Sequence, residues 1–170
     1  MTSVGNSGVR ILVVCTANIC RSVMTHAALR AEVARRGLPV EVASSGFLTN
    51  GDRASDAASS VLAELAHDVS DHRSRITIPK IVDTADLVVT MERRHSRDIT
   101  AMMKHQRKVF TLVTAVDLLS AVDPEITDPL ERIAAADAAR RHDDLLGTGP
   151  DEIDDPFFVD IGDAADLVAF

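Results

Sequence analysis

Cys15 and Arg21 are the two residues whose types and spacing suggest chemistry. The cysteine ends the apolar, β-branched segment VRILVVC, and the arginine follows the short polar turn TANIC. A thiolate is a strong nucleophile, and a nearby cation or helix N-terminus favours it over the thiol. A guanidinium group can hold two oxygens of a phosphoryl group at once. The pair therefore predicts a nucleophile beside an anion clamp, which is what phosphoryl transfer requires of a protein in the absence of a metal ion.

The turn between these two residues is predicted to join a strand to a helix. The apolar run indicates a strand over Val9–Val14, and helical spacing begins at about Ser22 and continues to Arg36, where Gly37 ends it. Unpaired N–H groups and the positive end of the helix dipole then point into the turn. We therefore expect an anion cradle around the Cys15 sulfur, with the Ser22 hydroxyl donating a hydrogen bond to it.

A proton donor for the leaving oxygen has to come from outside this turn, because the turn contains no acid. Asp155 is the strongest candidate: Pro156 would place its carboxyl group on a rigid turn, and two aromatic rings follow it. Phe157 and Phe158 would flank an aromatic substrate. The neighbouring Asp154 is the alternative acid. The other carboxylates nearby are expected to form a solvated acidic surface: Asp151, Glu152 and Asp160.

Several segments together resemble the low-molecular-weight protein tyrosine phosphatase family. The loop Cys-Thr-Ala-Asn-Ile-Cys-Arg-Ser is similar to that family's C-x5-R-S signature, directly after the first strand. Similar segments follow in the family's order: Ser44-Ser45-Gly46, His72-Arg73-Ser74-Arg75, Ala85-Asp86-Leu87-Val88-Val89-Thr90-Met91-Glu92 and Asp155-Pro156-Phe157-Phe158. The similarity covers about Val9–Leu112 and the turn at Asp155, and five elements in order make it specific.

The resemblance implies roles for individual residues. Cys15 is expected to be the nucleophile and Arg21 the phosphate ligand, and Asp155 to act as general acid and then as general base in hydrolysis of a cysteinyl-phosphate. Cys20 corresponds to a second cysteine that forms a reversible disulfide with Cys15 and protects it from irreversible oxidation. The loop residues are Thr16, Ala17, Asn18, Ile19, Cys20 and Ser22. The support of this loop is assigned to Asn18, Ser22, Ser44 and His72. The expected walls of the substrate pocket are Phe47, Phe157 and Phe158.

Ordinary structural roles are the alternatives to several of these assignments. Inert packing is the alternative for Cys20, and a place in the hydrophobic core is the alternative for Phe47. Ordinary turn and surface positions are the alternative for Asn18, Ser44 and His72, and their assignment to the site rests on the resemblance alone.

Three features depart from the family pattern. Ala17 stands where the family usually has glycine, so a positive φ at this position would be costly. Val23 replaces the usual proline at the start of the helix. Residues 114–150 have no clear counterpart in the family, and we expect loops and one surface helix there, with helical spacing over Asp128–Asp144.

The order of the predicted elements indicates an α/β fold. Helices are predicted after an N-cap at Ser55 and over Glu92–Lys104. Alternation of short strands with helices predicts an open, doubly wound four-stranded parallel sheet with helices on both faces. Ligands bind at the carboxyl ends of the strands in such folds, which is where Cys15 lies. The strands predicted after the first are Val40–Ala43, Leu87–Thr90 and Val109–Val113.

The composition is that of a globular protein. The chain has 170 residues, of which 46% are hydrophobic and 26% charged, and this predicts one domain over 1–170 with a flexible N-terminus at 1–8. A net charge of −8 argues against a nucleic acid or an acidic membrane as partner. Two cysteines in one loop fit a reducing compartment, and we find neither a signal peptide nor an apolar stretch of roughly 20 residues. We therefore expect a cytoplasmic protein, as a monomer or weak dimer.

No metal ion or other cofactor is expected. A zinc site at Cys15 and Cys20 would need two further ligands, and none of the six histidines gives a suitable pair. The histidines other than His72 are interpreted as surface residues: His26, His67, His95, His105 and His142.

The leading hypothesis is a phosphatase that acts on phosphotyrosine in proteins. Ile19 matches tyrosine-directed members of the family, whereas relatives acting on phosphoarginine tend to carry threonine there. Thr90–His95 and the short Gly46–Gly51 loop are most similar to bacterial members that act on tyrosine kinases of polysaccharide export, which suggests such a kinase as partner. An arsenate reductase of this fold is the alternative enzyme, but it needs further cysteines and the chain has two. A catalytically inactive anion-binding protein is disfavoured because nucleophile, arginine and acid are all present.

Overall fold

A four-stranded parallel sheet forms the centre of the computed structural model, which describes residues 8–104, 107–141 and 149–155. Its order is β2-β1-β3-β4, and each neighbouring pair of strands is parallel. The sheet confirms the predicted open α/β architecture. The strands are β1 (Val9–Cys15), β2 (Val40–Gly46), β3 (Leu87–Thr90) and β4 (Val109–Thr111).

Six helices within the described residues connect and cover these strands. Gly37 adopts a left-handed φ of 63° and ends the first helix, as predicted. Ser55 accepts a hydrogen bond from the N–H of Ala58 and caps the second helix, also as predicted. The third helix is not predicted, because six residues are too few to show a helical periodicity. The helices are α1 (Arg21–Arg36), α2 (Asp56–Glu64), α3 (Pro79–Thr84), α4 (Arg93–Met103), α5 (Leu112–Ala121) and α6 (Pro129–Ala138).

The prediction of a strand over Val109–Val113 is wrong at its carboxyl end. The side chain of Thr111 accepts a hydrogen bond from the N–H of Thr114 at 3.2 Å, and this cap starts α5 at Leu112. Capping therefore outweighs the β propensity of the last two residues. The following region holds two helices rather than one surface helix, and Ile133 of α6 is part of the core.

Alternate residues of β1 pack into core clusters on opposite faces of the sheet. Leu12 and Val14 pack with residues of α3 and α4, whereas Val13 packs with residues of α5 and α6. Leu29 of α1 packs against the second of these clusters. Helices thus cover both faces as predicted, and β1 ends with Cys15 at the edge of the sheet where β3 and β4 also end.

Some predictions fall on parts of the chain that the structure does not describe. Three predictions lie outside the described residues: the flexible N-terminus as far as residue 7, the end of the predicted helix Asp128–Asp144, and the aromatic walls Phe157 and Phe158.

Among the helices that are described, none combines the length and apolar character needed to cross a lipid bilayer.

Candidate active site

The loop between β1 and α1 and the start of α1 place two hydrogen-bonding groups at the sulfur of Cys15. The backbone N–H of Asn18 donates to Sγ at 3.3 Å, and the Ser22 hydroxyl lies 3.0 Å from it. The Asn18 side-chain amide donates to Ser22 Oγ at 2.9 Å, so the hydroxyl hydrogen of Ser22 is available to the sulfur. The expected contact between Ser22 and Cys15 is present, and Cys15 is 3% exposed.

Asn18 is the residue of this loop that adopts a left-handed conformation, with a φ of 56°. Asparagine tolerates this region better than most residues do. Its side-chain Oδ1 accepts from the N–H of Arg75 at 3.0 Å, and its carbonyl oxygen lies 2.7 Å from Nε2 of His72. The cost anticipated at Ala17 therefore does not arise, since Ala17 is not among the positive-φ residues. Asn18 therefore links the loop to His72 and Arg75.

Ser44 is linked to the loop through its backbone and the side chain of Arg75. Its backbone carbonyl accepts hydrogen bonds from Nε and Nη2 of Arg75 at 3.2 and 2.9 Å, and Arg75 in turn binds Asn18. The carbonyl group of Ser44, rather than its side chain, makes these contacts.

Gly46, two residues later, is a position of the site that sequence reasoning did not single out. A Cβ atom there would lie 2.7 Å from the backbone nitrogen of Asn18, so the close approach of β2 to the loop requires glycine.

The guanidinium group of Arg21 is 1% exposed and binds four acceptors. Nη1 donates to Glu92 Oε1 at 2.5 Å and to the carbonyl of Ile153 at 2.9 Å. Nη2 donates to Thr16 Oγ1 at 3.1 Å and to Asp155 Oδ2 at 2.6 Å. The structure thus brings Arg21 and Asp155 together, whereas Asp154, the alternative acid, is exposed.

Glu92 is a site residue that sequence reasoning did not single out. It follows β3, whose carboxyl end adjoins that of β1, and this placement was the available signal. Its carboxylate binds Arg21 and also Arg94, whose Nε lies 2.5 Å from Glu92 Oε2. Burial opposes ionisation of Glu92, but the hydrogen bonds from Arg94 and Arg21 outweigh it and hold its pKa below the usual value.

The interpretation of His95 as a surface residue is wrong. This histidine in the first turn of α4 is 2% exposed, and its Nε2 lies 3.0 Å from Thr16 Oγ1. Burial, aided by the charges of Arg21 and Arg94, lowers the pKa of His95 to about 4. Its ring stacks on that of Phe47, with centroids 5.8 Å apart.

Two of the other histidines interpreted as surface residues lie in the described part of the chain. His26 is half-buried, with Nε2 3.1 Å from the carbonyl oxygen of Val42, and its burial lowers its pKa. His67 is also half-buried. His105 and His142 lie outside the described residues.

The interpretation of Asp151 as a solvated carboxylate is also wrong. It is buried and accepts hydrogen bonds from the hydroxyls of Thr111 and Thr114, at 2.8 and 3.0 Å, and from Nε of Arg93 at 2.7 Å. Burial opposes its ionisation, but these hydrogen bonds outweigh the effect and lower its pKa. Asp151 therefore anchors the segment that carries Asp155 to α4 and α5.

Cys20 and Cys15 are both buried free thiols. Cys20 packs between α1 and α2, and burial raises its pKa to about 11.

Among the described residues, no group of three or more His, Cys, Asp or Glu side chains is arranged to hold a metal ion.

The sequence model of the low molecular weight phosphotyrosine protein phosphatases matches residues 10–140. The chain belongs to this family. It is therefore a phosphatase, as expected from the loop signature. The match includes α5 and α6, so the expectation that residues 114–150 have no counterpart in the family is wrong as far as residue 140.

Individual relatives of this phosphatase agree with the assignment. The chain is 36% identical over 104 residues to a protein-arginine-phosphatase of Bacillus subtilis, which covers 60% of this chain and 69% of that protein. It is 41% identical over 93 residues to EpsP of Ralstonia solanacearum, named a probable low molecular weight protein-tyrosine-phosphatase, covering 54% of this chain and 61% of that one. The solution structure of a low molecular weight protein tyrosine phosphatase from Bacillus subtilis superposes with a TM-score of 0.68 at 25% identity, covering 94% of this chain and 87% of that chain. These relatives do not favour the arsenate reductase alternative.

Proposed function

We propose that this phosphatase hydrolyses phosphotyrosine in proteins through a cysteinyl-phosphate, with Cys15, Arg21 and Asp155 as the reacting groups. The observation that carries the proposal is the convergence of these side chains on one loop. Ser22 and the Asn18 N–H contact the Cys15 sulfur, and the Arg21 guanidinium binds the Asp155 carboxylate at 2.6 Å and the hydroxyl of Thr16, the residue after Cys15. A nucleophile, an anion ligand and an acid are the groups that the reaction requires.

The first step transfers the phosphoryl group to sulfur. The Cys15 thiolate attacks phosphorus, and the bond between phosphorus and the phenolic oxygen breaks. Asp155 takes up a proton from solvent when it leaves Arg21, and it gives that proton to the phenolic oxygen. Arg21 and the loop N–H groups bind the non-bridging oxygens. Both hydrogens of Arg21 Nη2 are donated to Thr16 and Asp155. The guanidinium must therefore exchange an acceptor to bind phosphate through Nη2, and movement of Asp155 to the leaving oxygen supplies that exchange.

The second step returns the enzyme to its starting state. Water attacks the cysteinyl-phosphate, Asp155 accepts a proton from the water, and the bond between phosphorus and sulfur breaks. Inorganic phosphate is released, the Cys15 thiolate is regenerated, and Asp155 returns its proton to solvent as it pairs with Arg21 again. The Ser22 hydroxyl, 3.0 Å from the sulfur, donates to it as negative charge develops there and so improves the leaving group.

Phosphotyrosine is the proposed substrate, and phosphoarginine in proteins is the second candidate. EpsP is named a tyrosine phosphatase, but the Bacillus subtilis relative at 36% identity is named an arginine phosphatase. Ile19 supports phosphotyrosine, because an apolar side chain offers no acceptor to the guanidinium group of phosphoarginine. A bacterial tyrosine kinase is the proposed protein partner.

The experiment compares hydrolysis of matched phosphotyrosine and phosphoarginine peptides by wild type, Cys15→Ser and Asp155→Ala. We expect turnover of the phosphotyrosine peptide, none by Cys15→Ser, and a loss of about 10²–10⁴-fold in kcat for Asp155→Ala. Asp154→Ala is the matched control, since that neighbouring carboxylate is exposed, and it should keep wild-type turnover. Wild-type inactivity on both peptides under reducing conditions would overturn the proposal.

Three further expectations remain predictions: one domain over the whole chain, a monomer or weak dimer, and a cytoplasmic location. Limited proteolysis tests the first and sedimentation equilibrium the second. Fractionation of the producing cells tests the third.

A further inference from the structure

The hydroxyl group of Thr16 lies between three nitrogen atoms of other side chains. Arg21 Nη2 lies 3.1 Å from Thr16 Oγ1, Arg94 Nη2 lies 2.9 Å from it, and His95 Nε2 lies 3.0 Å from it. Arg21 is buried and Arg94 is about half exposed. One hydroxyl therefore joins the proposed phosphate ligand to a second guanidinium group at the rim of the site.

The hydrogen bonds to Thr16 Oγ1 determine which ring nitrogen of His95 carries the proton. A guanidinium group donates hydrogen bonds and accepts none, and a hydroxyl oxygen has two lone pairs and one hydrogen. Arg21 and Arg94 use both lone pairs of Thr16 Oγ1, so its hydrogen must go to His95. Nε2 of His95 is then an acceptor without a proton. A neutral ring in this position carries its proton on Nδ1.

The surroundings of His95 keep the ring neutral and in place. Burial disfavours the charged form, and the guanidinium groups of Arg21 and Arg94 add to this effect. The carboxylates of Glu92, 3.9 Å from Nε2, and Asp155 oppose it without cancelling it, and the pKa falls to about 4. The ring stacks on Phe47 at an interplanar angle of 20°. Its Nδ1 is buried and has no hydrogen-bond partner in the described part of the chain. An unsatisfied N–H carries a desolvation cost that a purely packing side chain would avoid.

We propose that His95 is a positioning residue for the phosphate site, acting through the Thr16 hydroxyl. As the neutral Nδ1–H tautomer, His95 accepts the Thr16 hydrogen and keeps both lone pairs of that oxygen directed at Arg21 and Arg94. The buried Arg21 guanidinium is thereby held in one orientation before a phosphoryl group arrives. The inference rests on the proposed role of Arg21 as phosphate ligand.

The tautomer is tested directly on the wild-type protein by ¹⁵N NMR of labelled histidines. We expect the His95 signals of a neutral ring with hydrogen on Nδ1, unchanged between about pH 5 and 8, the range in which an ordinary histidine titrates. A proton on Nε2, or titration of His95 in this range, would overturn the proposal. This measurement needs no substitution and does not depend on catalysis.

The functional consequence is tested with paired substitutions. Thr16→Val keeps the shape of the side chain and removes the hydroxyl, whereas Thr16→Ser keeps the hydroxyl. His95→Leu removes the acceptor, whereas the amide of His95→Gln places one near the position of Nε2. The probes are the inhibition constant of inorganic phosphate and the separate kcat and KM values for a phosphotyrosine peptide.

Loss of the hydroxyl or of its acceptor should weaken phosphate inhibition and lower kcat/KM by roughly tenfold, the scale of one hydrogen bond to a charged group. Thr16→Ser and His95→Gln should recover most of this loss. The double variant Thr16→Val/His95→Leu should be no worse than Thr16→Val, because both changes break one chain of hydrogen bonds. Thr100→Val is the matched control, since the Thr100 hydroxyl is buried in α4 and has no hydrogen-bond partner among the residues that the structure describes.

The outcomes separate this inference from the proposed function. Wild-type inactivity on phosphotyrosine and phosphoarginine peptides overturns the proposed function, and the NMR result then stands by itself. An active wild type with fully additive losses in the double variant, or with His95→Gln as impaired as His95→Leu, overturns the positioning role. Rescue by both conservative variants, together with non-additivity, supports it.

Discussion

Asp155 Oδ2 and Arg21 Nη2 lie 2.6 Å apart, so the proposed acid and the proposed phosphate ligand bind each other. The arginine side chain is 1% exposed and the aspartate 22% exposed, which leaves the ion pair only partly screened by water. A phosphate dianion and the Asp155 carboxylate therefore compete for one guanidinium group.

This competition predicts opposite effects of Asp155→Asn on binding and on turnover. The amide removes a negative charge beside Arg21, so inorganic phosphate should inhibit the variant more strongly than the wild type, by several-fold. The same change removes the proton donor, so kcat should fall by about 10²–10⁴-fold. Steady-state kinetics with phosphate as competitive inhibitor measures both. Asp154→Asn serves as control, and unchanged or weaker phosphate inhibition of Asp155→Asn would contradict the competition.

Asp151→Asn should destabilise the protein in a pH-dependent way. The amide weakens the contacts with Arg93, Thr111 and Thr114, and we expect a loss of about 1–3 kcal/mol in the free energy of unfolding at pH 7. The folded-state pKa of Asp151 is lowered from 3.8, so its contribution is present above that value and is lost as the pH falls through the lower folded pKa. The difference between wild type and variant should therefore shrink below about pH 4.

Urea unfolding at several pH values measures this difference. The exposed Asp117 of α5 provides the control Asp117→Asn, for which we expect a change within about 0.5 kcal/mol at every pH. An equal loss for Asp151→Asn at pH 7 and at pH 3 would show that its ionised form is not what stabilises the fold.

Cys20→Ser should reduce the activity that the enzyme regains after oxidation by peroxide, without changing the rate at which peroxide inactivates it. The pKa of Cys20 is raised to about 11, so Cys20 stays a thiol at neutral pH and peroxide should react first elsewhere, at Cys15. We expect the variant to lose activity in peroxide at about the wild-type rate and to regain less of it when a dithiol is added. Recovery equal to that of wild type would argue against a protective disulfide between the two residues.

Ile19→Thr should shift the substrate preference towards phosphoarginine. A threonine hydroxyl can accept a hydrogen bond from the guanidinium group of that substrate, whereas isoleucine provides an apolar surface. We expect the ratio of kcat/KM for phosphotyrosine to that for phosphoarginine peptides to fall by roughly tenfold. Ile19→Val keeps an apolar side chain and should leave the ratio near its wild-type value. A ratio that is the same in all three proteins would place the selectivity outside position 19.

Local patterns were sufficient to predict the parallel sheet and the loop signature. β-Branched runs, the Gly37 and Ser55 caps and the spacing of Cys15 and Arg21 all lie within short segments, where propensity and steric limits act directly. The same reasoning placed Cys15 at the carboxyl end of a parallel strand, because it closes the apolar run, and that edge is where such folds bind ligands.

Tertiary structure decided which polar residues are buried around the loop. Glu92, His95 and Asp151 look like ordinary surface residues in the sequence. In the structure His95 and Asp151 are buried and Glu92 is half-buried, and each contacts a partner 40 to 79 positions away. The strand β4 ends at Thr111 because the hydroxyl of this residue caps α5. Residue 46 must be glycine because β2 approaches the loop closely there. Contacts between distant segments set these outcomes, because burial and hydrogen-bond satisfaction are properties of the assembled chain rather than of any local stretch.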